Sequence, residues 1–159
     1  MRKEFGRIIC ELAEKDEDII LIVGDIGYKI FDEFRERFPD RYINIGICEQ
    51  SMMSAIAGMA LEGFKPYVYS ITPFLMERAF EQVKIDIDIN RVNVKIIGYA
   101  DYPEQGPTHS CANIKKMEDM FKYLGCWYPN NIYELRDILK TSYKTKVPTF
   151  ISLRKSKNE

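Results

Sequence analysis

Six short runs of aliphatic and β-branched residues recur along the 159-residue chain, and a segment of helical periodicity separates most of them. The runs are Ile19 to Val23, Tyr42 to Ile45, Pro66 to Ile71, Val92 to Tyr99, Cys126 to Tyr128 and Thr149 to Leu153. Strands with a helix inserted between them do not close as tight hairpins; they lie side by side in a parallel sheet. The intervening segments fit this. Phe5, Ile8, Ile9 and Leu12 share one face of a helix over residues 2 to 15, and a short helix over 29 to 38 stops before Pro39. A helix runs from Glu49 to a stop at Gly63, and Pro73 opens a long one that reaches about Asn90. Two more are expected, from Ile114 to Leu124 and from Ile132 to Tyr143. The expected fold class is therefore α/β: a single three-layer domain with a mostly parallel sheet of about six strands and helices on both faces.

Composition narrows the function classes. A chain of 159 residues, 46% of them hydrophobic, builds one domain with a substantial core. The formal net charge is −1, without the basic excess of a nucleic-acid binder, so no nucleic-acid partner is expected. Cys10, Cys48, Cys111 and Cys126 show no C-x-x-C spacing and no histidine cluster, so no metal site is expected in this chain. No apolar run nears the ~20 residues that cross a bilayer. No membrane partner is expected, and without a hydrophobic leader the expected localisation is cytoplasmic.

Three segments carry residues suited to chemistry. In G-I-C-E-Q-S-M-M-S-A-I-A-G-M-A-L-E-G, residues 46 to 63, Glu49 sits where a strand ends and a helix begins. That junction opens on the crevice at the carboxyl edge of an α/β sheet, where such folds bind ligands. An acid in the first helical turn also offsets the macrodipole, and spacing alone leaves both readings open. The second segment is Y-S-I-T-P-F-L-M-E-R-A-F-E-Q-V, residues 69 to 83, in which Phe74 and Arg78 also suit an ordinary amphipathic helix. The third is E-Q-G-P-T-H-S, residues 104 to 110, which holds the single histidine, His109. A fourth, Gly24-Asp25-Ile26-Gly27, follows a strand but lacks the third glycine of a dinucleotide fingerprint and reads as a turn.

Together these segments resemble the pyrimidine-binding domain of transketolase-like, thiamine-diphosphate-dependent enzymes, and the resemblance covers residues 1–159 as one such domain. It implies that Glu49 matches the family's glutamate, which hydrogen-bonds a ring nitrogen of the cofactor's aminopyrimidine and activates it. Phe74 matches an aromatic that stacks on that ring, with Tyr69 a second candidate and Arg78 a further cofactor-binding position. His109, in G-P-T-H, matches a histidine that faces the substrate and moves protons.

The chain also departs from the family pattern. Gln105 replaces an acidic residue, with Glu104 one place off. Tyr99 stands where the deoxyxylulose phosphate synthases carry arginine, and Arg154 or Lys155 is in uncertain register with a phosphate-holding arginine.

The resemblance further implies a split enzyme that transfers a two-carbon ketol unit between sugar-type substrates. A partner, the diphosphate-binding subunit, would hold the Mg2+ or other divalent cation and the cofactor's charged end. The expected assembly is a dimer of heterodimers, with a surface around residues 49 to 62 buried in it. Two alternatives stay open: a subunit of a two-subunit 2-oxoacid decarboxylase or dehydrogenase, or a non-catalytic assembly module of the same fold.

Overall fold

A computed structural model of the protein describes residues 1–99, 106–111 and 113–153. Six strands form one sheet in the order β2-β1-β3-β4-β6-β5, and every pairing is parallel. They are β1 (Ile19–Val23), β2 (Tyr42–Asn44), β3 (Lys65–Ile71), β4 (Lys95–Tyr99), β5 (Gly125–Trp127) and β6 (Thr149–Leu153). The central strands β1, β3 and β4 are buried nearly throughout, which explains why they read as unbroken apolar runs.

Alternation along each strand splits the core in two. Ile19, Leu21, Val23, Tyr67, Tyr69, Ile97 and Tyr99 pack against α1 (Arg2–Ala13), α2 (Asp32–Arg37) and α6 (Ile132–Lys144). Ile20, Ile22, Val68, Ile96 and Phe150 face the other way, onto α3 (Glu49–Leu61) and α4, the composite helical segment over residues 74–89 that follows β3. Asn131 caps α6 by accepting from the backbone N–H groups of Tyr133 and Glu134, both at 3.0 Å. The expected three-layer α/β architecture is what the chain adopts.

Two helices differ from expectation. The long helix after Pro73 is not regular: α4 consists of a π-helical turn (Phe74–Arg78), one α-helical turn (Phe80–Gln82) and a second π-helical stretch (Val83–Ile89). Ala79 breaks it, with φ −105° and ψ 25°. Periodicity of apolar residues does not distinguish these hydrogen-bond patterns, whose side chains still face one core. Helix α5 spans only Ile114–Glu118, because the chain beyond it bends to deliver the N–H groups of Lys122, Tyr123 and Leu124 to the buried Asp88 carboxylate. Among the described residues, no helix is long and apolar enough to cross a membrane.

Candidate active site

Glu49 is set in place by the turn before it. At the end of β2, the Asn44 side-chain oxygen accepts from the N–H of Asp25 (3.0 Å) and of Gly46 (3.1 Å). Its amide donates to the Asp25 carboxylate at 3.1 Å, so the ends of β1 and β2 are clamped together. Gly46 adopts φ +81° with open space where a Cβ would stand, so conformation rather than crowding calls for glycine. Cys48 then takes the N-cap position: its Sγ donates to the Ile45 carbonyl at 3.2 Å, and its own carbonyl accepts from Met52 at 2.9 Å. Glu49 follows as the first residue of α3, at the carboxyl edge of the sheet.

The Glu49 side chain is 5% exposed, yet it borders a hollow of about 410 Å³ together with Ile47, Cys48, Gln50, Ser51 and Arg78. Arg78 Nη1 lies 3.5 Å from Glu49 Oε1, a loose ion pair. The same guanidinium stands over the Phe74 ring, Cζ 3.6 Å from its centroid. Phe74 in turn meets the His109 ring edge to face, with centroids 5.0 Å apart and planes at 69°. Four residues from three separate segments, Glu49, Phe74, Arg78 and His109, thus form one continuous set.

Local structure accounts for this convergence. Thr72 Oγ1 donates to the Tyr99 carbonyl at 2.7 Å and pins the end of β3 to the end of β4. Gly98 is required beside it, since a Cβ there would sit 2.6 Å from Thr72 Oγ1 and 2.7 Å from the Phe150 ring. Phe74 and Arg78 are the first and last residues of the π-helical turn, which aligns side chains four apart. His109 belongs to a single 3₁₀ turn, Pro107–His109, and its Nδ1 shares a 3.0 Å hydrogen bond with Thr108 Oγ1. That bond fixes the imidazole's orientation and leaves Nε2 as the nitrogen able to meet another group.

The structure does not bring Tyr69 to this set. Its side chain leaves β3 on the opposite face, where the buried ring lies edge-on to Phe31 at 4.9 Å and stacked on Phe5 at 6.1 Å. The period-two alternation of a strand sends residue 69 toward α1, so this aromatic is core. Tyr99 is likewise buried on that side, under the Arg2 guanidinium at 4.1 Å. Glu104, Gln105, Arg154 and Lys155 lie outside the described residues.

Sequence reasoning also missed Ile47, Cys48, Gln50 and Ser51 as walls of the hollow, and the clamp between Asn44 and Asp25. The Asn-x-Gly run after a strand was the available signal for that turn. The G-D-I-G segment is indeed a turn: Asp25 has φ 53°, Gly27 has φ 102°, and a Cβ on Gly27 would strike the Phe31 ring at 2.5 Å. Ile26 and Gly27 line a second, smaller hollow of about 270 Å³.

The family model of the transketolase pyrimidine-binding domain matches residues 1–159. The chain belongs to that family. A 1-deoxy-D-xylulose-5-phosphate synthase from Oleidesulfovibrio alaskensis is 33% identical over 156 residues, which cover 92% of this chain and 23% of the relative. A subunit of the apulose-4-phosphate transketolase of Actinobacillus succinogenes is 36% identical over 141 residues, covering 86% of this chain and 45% of the relative. Among solved structures, a split gene transketolase described as an inactive beta4 tetramer superposes with a TM-score of 0.87 at 26% identity, over 98% of this chain and 50% of that one. A Campylobacter jejuni transketolase shares the fold at 19% identity, with a TM-score of 0.85 over 96% of this chain and 25% of its own. This transketolase pyrimidine-binding domain thus spans about half or less of the length of these relatives.

Proposed function

We propose that this pyrimidine-binding domain acts as one subunit of a split, thiamine-diphosphate-dependent transketolase-like enzyme that transfers a two-carbon ketol unit between sugar-type substrates. The observation that carries the proposal is the contiguous set Glu49–Arg78–Phe74–His109, whose Glu49 and Arg78 line a hollow of about 410 Å³ at the carboxyl edge of the sheet. The residues present fit the pyrimidine end of the cofactor. A shielded carboxylate suits a hydrogen bond to a ring nitrogen, and an aromatic within reach of the same guanidinium suits stacking. When bound, the cofactor would supply a carbon nucleophile for ketol transfer.

This chain's own residues have distinct tasks in that reaction. Glu49, shielded from bulk water, would hydrogen-bond the ring nitrogen. Phe74 fixes the ring's plane. His109, packed against Phe74 and oriented by Thr108, directs Nε2 to a substrate oxygen and moves protons there. The cofactor's diphosphate and its divalent cation are assigned to a partner subunit, in line with one relative named as a transketolase subunit and another as a split gene transketolase.

The exposed side of α3 is the proposed docking face for that partner. Ser51, Ser54, Ala55, Gly58 and Leu61 are exposed along it, and Ile85 and Ile89 of α4 continue it. Ser54 Oγ donates to Asp86 at 2.6 Å and holds the two helices as one surface.

The test is to co-purify the tagged chain from its native cells and assay the eluate for thiamine diphosphate. A stoichiometric partner with bound cofactor is the expected result. A chain that is recovered alone and remains free of cofactor after magnesium and thiamine diphosphate are added overturns the enzyme reading in favour of an assembly module.

A further inference from the structure

We propose that the Arg78 guanidinium is a built-in placeholder for the aminopyrimidine ring, occupying the ring's two contacts in the cofactor-free subunit and yielding them when the ring arrives. The inference rests on the reading of Glu49 and Phe74 as the ring-binding residues. It adds a contest for those contacts within the chain itself.

Chemical likeness is the first argument. A guanidinium is flat, cationic and rich in N–H donors, and it stacks on aromatic faces. An aminopyrimidine with a proton at its ring nitrogen is also flat, also cationic, and directs that one N–H at a carboxylate from its edge. Either group satisfies a carboxylate and an aromatic face that stand side by side.

Geometry is the second. Arg78 Cζ stands 3.6 Å from the Phe74 centroid, a separation typical of stacked planes, so one face of that ring is covered. Nη1 of the same group reaches Glu49 Oε1 at 3.5 Å. Arg78 also forms part of the wall of the hollow that Glu49 borders. A ring entering there to meet both residues takes the place the guanidinium now holds.

The third argument is that the placeholder is weakly held. The Arg78 side chain is 39% exposed, its ion pair is long, and it ends the π-helical turn just before the break at Ala79. Solvent therefore remains available to the guanidinium once displaced. An exposed cation–π contact and a loose ion pair each carry little free energy, so their combined competition should raise the apparent dissociation constant by roughly tenfold and no more. Such a device keeps the buried Glu49 carboxylate paired with a cation, and the Phe74 face covered, until the cofactor replaces both.

The experiment is a titration of the full chain with thiamine, which has the ring but no diphosphate, followed by NMR to millimolar concentration. Wild type is compared with Arg78→Met, which keeps much of the length of the side chain and removes the planar cation. In the free protein the Arg78 Nε–H resonance should be shifted by the Phe74 ring current. Thiamine should move it toward its solvent position, and Arg78→Met should bind thiamine about tenfold more tightly. If Arg78→Met binds more weakly, or Arg78 keeps its ring-shifted resonance in the bound state, the guanidinium is a direct ligand and the placeholder is overturned while the site stands. If thiamine perturbs neither Glu49 nor Phe74 in either protein, the ring-binding reading fails, and the placeholder fails with it.

Discussion

At the residue scale, Glu49 and Lys95 show how two buried charges differ in purpose. Glu49 is 5% exposed and loosely paired, with a hollow in front of it, and its proposed role is to meet a ligand there. Glu49→Gln preserves shape and removes the capacity to hold and release a proton. Stability by urea denaturation is expected to change by less than about 1 kcal/mol. Turnover of the proposed split enzyme should fall by at least about a hundredfold, and near-normal turnover would refute the assignment.

Lys95 is 2% exposed at the opposite edge of the sheet, where Nζ donates to the carbonyls of Thr145 (3.1 Å) and Val147 (2.8 Å) and to Thr149 Oγ1 (3.4 Å). Burial lowers its pKa from 10.5 to about 8. Between those two values the folded protein has released a proton that the unfolded chain still binds, so stability rises with pH across that window. Below the lower value the charged amine is held at full desolvation cost. Relative to Lys95→Met, the wild type should therefore gain roughly 1–3 kcal/mol between pH 7 and pH 10 in urea denaturation. A gap that is flat or that shrinks would contradict this account.

At the scale of elements, α4 connects the site to the scaffold. Its first turn presents Phe74 and Arg78, and its last stretch buries Asp88. The Asp88 carboxylate, 1% exposed, accepts from the backbone N–H groups of Lys122 (2.8 Å), Tyr123 (2.6 Å) and Leu124 (2.6 Å). One side chain thereby serves as the cap for a segment that has no helix or strand partner. Asp88→Ala strands donors in the interior, and a loss of about 2–4 kcal/mol in unfolding free energy is expected. Thermal and urea unfolding would measure it, and a change under about 1 kcal/mol would show that water replaces the carboxylate.

At the scale of the whole molecule, Gly58 marks where this chain meets its proposed assembly. It lies inside α3, exposed, with nothing among the described residues within 4 Å of the place a Cβ would occupy, so no described neighbour demands glycine. Glycine within a helix is about 1 kcal/mol worse than alanine. A partner docked on the proposed face would bring a second backbone close to this position. Gly58→Ala is thus expected to stabilise the isolated chain by about 0.5–1 kcal/mol while weakening its association with the partner. Calorimetry of the chain and co-elution with the partner measure the two effects, and tighter or unchanged association would remove the docking argument.

The amino-acid sequence alone determined the order of elements, the two-sided burial of the sheet and the family, because apolar periodicity and short motifs are local signals. Thr149 to Leu153 shows this, since the run read from the sequence is the strand observed. The sequence also indicated Glu49, Phe74, Arg78 and His109 singly. What it did not determine is which of these meet. That His109 packs on Phe74, that Arg78 bridges Phe74 and Glu49, and that Tyr69 turns away from all of them depends on which strands are neighbours and which face each residue leaves. Only the tertiary structure decided that, and also where Asp88 finds its three donors. The physical reason is that such contacts join residues distant along the chain, and their energy depends on geometry created by the packing of the whole sheet rather than on the residues adjoining them.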